Sequence, residues 1–487
     1  MWAVAQVKAG LLDFKVGGEQ ETRQEQSREA SKAGLESDDR MGMSAQGSGK
    51  TCKAVESIPG VRHMRAVELF AGAGGLALGI AKAGFQHSAV IEIDPFACET
   101  IRENMSRGNS LVSDWPLHET DVRHFDYSQL SGDVDLLCAG VPCQPFSLAG
   151  KSKAHQDERD MFAEVVRAAR DLRPKAILIE NVRGLGRSKF KDYLEYLLLA
   201  IATPGLARDP KQSWRKHFQS LRCRGEIASV GTMLRYDVFF HVVNAADYGV
   251  PQCRERVFII GFRSDLQIRW SFPSRTHSLD ALVWAQWRSH RYWKRHGLER
   301  QRPGKMSRAI ACGVGRLDAG SMKPGLLPWK TIRDAFRDLP RLRRSQKHEE
   351  LDNHYLNPGA RSYKGHCGSR LDEPSKTLKA GSHGVPGGEN SLALPHGRIR
   401  YFSVRECARL QTFPDDYVFM GPWIRKMSQI GNAVPVRLAE VIAVSIRDHL
   451  ARQAERATTG HGGASLREGK PVPLDSSHRF HHLRSAR

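Results

Sequence analysis

From Arg65 onward the chain alternates short apolar runs with stretches in which apolar residues recur at helical spacing. The run Ala66-Val67-Glu68-Leu69-Phe70 predicts a first strand, a Gly-rich turn follows, and Leu76 to Ala83 reads as a helix. Further strands are predicted at Ser88 to Glu92, Val134 to Cys138, Ala176 to Ile179, Tyr236 to Val243 and Arg256 to Gly261. Strands interleaved with helices predict an α/β fold with a mostly parallel sheet covered on both faces. Between Phe262 and His396 this rhythm lapses into Pro, Gly, Arg and Trp, which predicts a smaller, irregular domain over 262–396. The α/β pattern returns over 397–450, with helices at Val404 to Gln411 and Pro435 to about Leu450, and joins 63–261 in one unit. Residues 1–62, rich in Gln, Glu, Ser, Gly and Lys, read as a flexible extension, and 451–487 as a disordered basic tail.

Charge adds a partner to this picture. The net charge of +21 favours a polyanion such as nucleic acid. The segment 262–347 holds 20 Lys/Arg against 6 Asp/Glu and also carries Trp270, Trp284, Trp287, Trp293 and Trp329, a mixture suited to phosphate contact and base stacking. Nine cysteines without a Cys-x-x-Cys pair suggest neither a disulfide framework nor a zinc or other metal site, and point to a reducing, cytoplasmic setting. No apolar run approaches the roughly 18 residues needed to cross a bilayer, so no membrane partner is expected. Ser48-Gly49-Lys50-Thr51 imitates a phosphate-binding loop, but position 44 is Ser44 and no strand precedes it.

Three places carry chemistry. The turn Phe70-Ala71-Gly72-Ala73-Gly74-Gly75 lies between strand and helix, where glycines admit a ligand close to the backbone, and Glu92 at the next strand end is placed to grip ribose hydroxyls. This pattern alone does not separate NAD from S-adenosylmethionine. Cys143, in Pro142-Cys143-Gln144-Pro145, leaves the carboxyl end of a strand and differs in that context from Cys98, Cys138, Cys253 and Cys407, which read as small buried hydrophobes. Glu180-Asn181 closes an apolar strand, which marks Glu180 as a functional acid. In Gln252-Cys253-Arg254-Glu255-Arg256, strand alternation would put Gln252, Arg254 and Arg256 on one face.

In this order the motifs resemble those of the DNA (cytosine-5)-methyltransferase family, in its bacterial restriction-modification form. Glu119-Thr120-Asp121-Val122, Arg405 to Pro414, and Gln429-Ile430-Gly431-Asn432-Ala433-Val434-Pro435 extend the match to roughly residues 64–450. The resemblance implies a Rossmann-like methyltransferase fold with a target recognition domain at 262–396. It implies S-adenosylmethionine as cofactor, with Phe70 against the adenine, Gly72 and Gly74 near the amino-acid moiety, Glu92 on the ribose, Asp121 on the adenine amine, and the Asn432 turn completing the pocket. It further implies attack by Cys143 on carbon 6 of a cytosine flipped out of double-stranded DNA, Glu180 at ring N3, and Arg254 holding the base O2 and Glu180. Gln144, Asn181, Gln252, Arg256 and Thr377 would line the substrate side. The implied protein is a monomer working at the nucleoid, with a cognate restriction endonuclease as its functional counterpart. Transfer-RNA methylation is the other activity in the family, but its branch carries a Cys-Phe-Thr tripeptide absent here. A catalytically silent DNA-binding relative is the remaining alternative.

Overall fold

The computed structural model describes residues 63–142, 161–209, 211–227, 233–299, 306–317, 324–342, 351–361, 367–381, 390–394 and 397–459. Cys143 and Gln144, the extension 1–62 and the end of the tail lie outside the described residues. Five apolar runs pair in parallel: β1 (Arg65–Leu69), β2 (Gln86–Glu92), β3 (Leu117–Glu119), β4 (Leu136–Gly140) and β5 (Ala176–Val182). The hairpin partners β6 (Tyr236–Asn244) and β7 (Glu255–Arg263) complete the sheet antiparallel, in the order β3-β2-β1-β4-β5-β7-β6.

The inner strands of such a sheet are mostly apolar because both faces are buried, although β1 also buries Glu68 against His87. Val67 and Leu69 of β1 enter one core layer and Ala66 the other. On the first face lie α3 (Phe162–Leu172), α4 (Lys191–Ala202) and α5 (Trp214–Ile227); on the second, α1 (Gly75–Lys82) packs against α12 (Val436–Thr459). Their approach depends on small residues: a side chain at Gly79 would come within 2.4 Å of the Ala439 Cβ. Between β2 and β3, α2 (Pro95–Ser106) starts where its residue types dictate, with Pro95 in the first turn and Asp94 accepting from Phe96 N at 2.9 Å.

The basic segment forms its own small core from α6 (Leu279–Val283), α7 (Arg291–Arg295) and α8 (Arg308–Leu317), around Leu282, Tyr292, Trp293 and Ile310. After α9 (Ile332–Ala335) the chain returns to the main unit through α10 (Val404–Leu410) and α11 (Trp423–Asn432). Two expectations change here. The tryptophans do not form a stacking row: Trp270 is buried against the sheet, with its indole N–H on Ser445 Oγ at 3.0 Å, and Trp293 is core. The α/β unit therefore reaches past 261 to Phe272. Nor is 451 the start of a disordered tail, because α12 continues through Thr459.

Candidate active site

The carboxyl ends of β1 to β5 share one edge, and the strand order reverses between β1 and β4, where open α/β sheets bind ligands. Phe70, Gly72 and Gly74 all take positive φ (57°, 55° and 78°), folding the turn tightly above β1. A Cβ on Gly72 would meet nothing within 4 Å, so the turn opens onto free space. Glu92, at the end of β2, faces it: its carboxylate accepts from Gly72 N at 2.6 Å, Ile93 N at 2.9 Å and Asp94 N at 2.7 Å. Burial pushes its pKa up, and the three N–H donors pull the other way. Three of about four acceptor positions are thus filled, leaving room for one strong external donor.

Thr120 N donates to Glu92 O at 2.9 Å and so brings Asp121 alongside. Asp121 is already held: Arg123 grips both carboxylate oxygens through Nε and Nη2, and this pairing lowers its pKa to about 2. An adenine amine at Asp121 would have to share it with Arg123, a neighbour that motif spacing does not reveal. Ile93, an apolar side chain left 61% exposed between Glu92 and Asp94, was likewise overlooked. Its signal is an isoleucine just past a strand end, where no core awaits it. Asn432 is exposed at the end of α11, in a turn fixed on both sides. A Cβ on Gly75 would lie 2.6 Å from Val434 O, and one on Gly431 would lie 2.4 Å from Ala380 N. The turn therefore touches both the glycine turn and the backbone at Ala380.

On the other side of the switch point, β5 runs three residues beyond its expected end and carries Glu180 and Asn181 within the strand. Glu180 is buried, which pushes its pKa up against the pull of Arg256 and Arg254. Its partner is Arg256, whose Nε lies 2.9 Å from Glu180 Oε1. Antiparallel register sets Arg256 opposite Val182 and Phe258 opposite Glu180, so the guanidinium reaches back to the carboxylate.

Arg254 does otherwise: among the described residues its guanidinium makes no hydrogen bond to Glu180. It precedes β7, where strand alternation does not apply, and turns its fully buried guanidinium to Leu378 O (2.9 Å), Gly431 O (2.7 Å) and Ala433 O (2.9 Å). Gln252 is also buried, receiving Leu378 N at 2.9 Å and donating to Leu410 O at 3.2 Å, so it braces the fold. Thr377 donates to Cys253 O at 2.7 Å and pins its own stretch of chain beside Arg254. Asn181 is buried, with its amide on Val141 O at 3.2 Å, two residues before Cys143. It holds the backbone that leaves the end of β4. Cys98, Cys138 and Cys407 are buried as expected, and Cys253 is half-buried.

Comparison with known proteins supplies the family. The profile described as C-5 cytosine-specific DNA methylase matches residues 64–205 and 216–448. The Type II methyltransferase M.Eco47II of Escherichia coli is 35% identical over 387 residues, covering 78% of this chain and 78% of its own length. M.NgoMIV of Neisseria gonorrhoeae is 31% identical over 392 residues, covering 78% of this chain and 96% of itself. Among solved structures, a prophage-encoded E. coli protein described as a DNA modification methyltransferase aligns with a TM-score of 0.50 at 20% identity, over 80% of this chain and 99% of its own. That likeness concerns the fold. With most of its length matched and its sheet reversing where the two halves of the site meet, the chain belongs to the C-5 cytosine-specific DNA methylase family.

Proposed function

We propose that this chain transfers a methyl group from S-adenosylmethionine to carbon 5 of cytosine in double-stranded DNA, with Cys143 as the nucleophile. The observation that carries the reading is the buried Glu180–Arg256 pair, one strand from Val141, two residues before Cys143, and tied to it through Asn181. The open glycine turn, the buried Glu92 and the exposed Ile93 suit a cofactor with a ribose and a flat ring. When bound, the cofactor supplies an electrophilic methyl on a sulfonium.

Carbon 5 of cytosine is a poor nucleophile. A bond from the Cys143 thiolate to carbon 6 moves electron density onto carbon 5, which then takes the methyl group. Glu180 holds a proton at ring N3 as charge develops there, a role served by the upward push of burial on its pKa. Arg256 holds Glu180 and the base O2, the part first expected of Arg254. Loss of the carbon-5 proton and elimination of Cys143 release the product. The base reaches this pocket only by leaving the stack, at a cost of a few kcal/mol offset by protein contacts. The net charge of +21 suits the duplex, and the relatives' designation as Type II methyltransferases supports pairing with a restriction endonuclease in the cytoplasm.

The test is expression of the chain and of Cys143→Ala in a host free of cytosine methylation, followed by bisulfite sequencing. Wild type is expected to leave 5-methylcytosine at one short sequence and Cys143→Ala to leave none. Methylation by the variant would overturn the mechanism.

A further inference from the structure

The recognition segment contains a cavity of about 530 Å³ walled by Arg295, His296, Arg333, Phe336, Arg337 and Leu371. Two of its guanidinium groups are fixed by carboxylates. Arg333 grips Asp372 through Nε at 2.5 Å and Nη2 at 3.0 Å, and the Tyr292 hydroxyl donates to the same carboxylate at 2.8 Å. Arg295 Nη2 lies 2.6 Å from Asp334 Oδ1, which His296 Nε2 also meets at 3.1 Å. The third, Arg337, is exposed and makes no side-chain hydrogen bond among the described residues; the adjacent Asp338 is committed to Arg409. Three guanidinium groups against two carboxylates leave one positive charge over the cavity.

We propose that this cavity takes one phosphodiester of the DNA strand that flanks the target base, matched in charge to Arg337, with its sugar against Phe336 and Leu371. The proposal rests on the DNA-methylating reading above. A convex basic face would be simply solvated, but these cations wall a concavity, and two of them are held in place before any ligand arrives. Phe336 is also set, packed edge-on to Phe402 with ring centres 5.8 Å apart.

The location suits a duplex contact. Arg333 N donates to Leu371 O at 2.8 Å, while Thr377 is pinned to Cys253 O at the catalytic edge. The six residue steps from Leu371 to Thr377 span at most about 22 Å when fully extended. At ~3.4 Å per base step along a strand, the cavity is within about six steps of the catalytic edge. Such a contact adds affinity and register without reading a base.

Binding of the full chain to a duplex oligonucleotide, followed by fluorescence anisotropy over a salt series, tests the assignment. For Arg337→Gln, the slope of log affinity against log salt should shrink by about 0.9, the value of one phosphate contact. Its melting temperature should be unchanged. Arg337→Lys should restore most of the slope and Arg337→Glu should weaken binding further. If wild type binds with a salt-dependent slope that both Arg337→Gln and Arg337→Glu preserve, the cavity is not a phosphate site. If wild type does not bind duplex DNA at all, the functional reading itself fails.

Discussion

Exchanging Arg254 and Arg256 separately for methionine separates a brace from a participant. Arg254 is fully buried, and Met occupies much of the volume of its stem while removing every donor. Leu378 O and Gly431 O then lose their guanidinium partner, whereas Ala433 O keeps Gln411 Nε2 at 3.2 Å. At roughly 1–3 kcal/mol for each buried acceptor left without a donor, the loss is about 2–6 kcal/mol. Removing a buried cation whose nearest opposing charge is shared with Arg256 offsets part of this, so a net cost of about 2–4 kcal/mol is expected. For a chain of 487 residues, whose unfolding entropy is about 1 kcal/mol/K, that lowers the melting temperature by roughly 2–4 °C. Arg256→Met removes one ion pair, and Glu180, already pushed toward protonation by burial, can take up a proton instead of remaining a lone buried charge. Its melting temperature should move little, while methyl transfer falls by about 10² to 10³. Thermal unfolding at fixed cofactor concentration and methyl incorporation at saturating cofactor and DNA give the two readouts. Arg254→Met melting like wild type but inactive, with Arg256→Met active, would refute the assignment.

Three further variants probe the same site. Glu180 acts when protonated and its pKa is raised, so kcat/KM should fall as pH rises through the raised value; Glu180→Gln should lower the rate by about 10² or more and abolish that fall, measured across pH 5.5–9. Gly431→Ala would place a Cβ 2.4 Å from Ala380 N and must displace backbone, so both melting temperature and activity should drop. Gly72→Ala meets no atom within 4 Å, so it should change stability by only about 1 kcal/mol, from its positive φ, yet weaken cofactor binding in calorimetry.

The fold was legible wherever burial is two-sided. Runs such as Ala176 to Ile179 are apolar because helices cover both faces, and the glycines after β1 mark a turn that few other residues could make. What escaped depends on tertiary placement. β3 has only three residues, too few for any period to show. Glu180 was recognisable as an acid at the end of an apolar run, but its partner was not: Arg254 and Arg256 differ only in whether the backbone has yet entered β7. The tryptophans misled because aromatic rings serve a small core as readily as a nucleic-acid surface, and only packing distinguishes Trp293 from a stacking platform.

The seating of α12 on α1 also governs when the enzyme can first exist. Arg447 donates to the carbonyl of Ala83, 364 residues earlier, and the turn at Val434 packs against Gly75. A ribosome adding about 5–20 residues per second makes the glycine turn wait roughly 20–70 s for the segments that back it. Through that interval the nascent chain carries residues 262–396 while its glycine turn lacks the segments that pack against it. Methylating capacity therefore arises in one late step of synthesis.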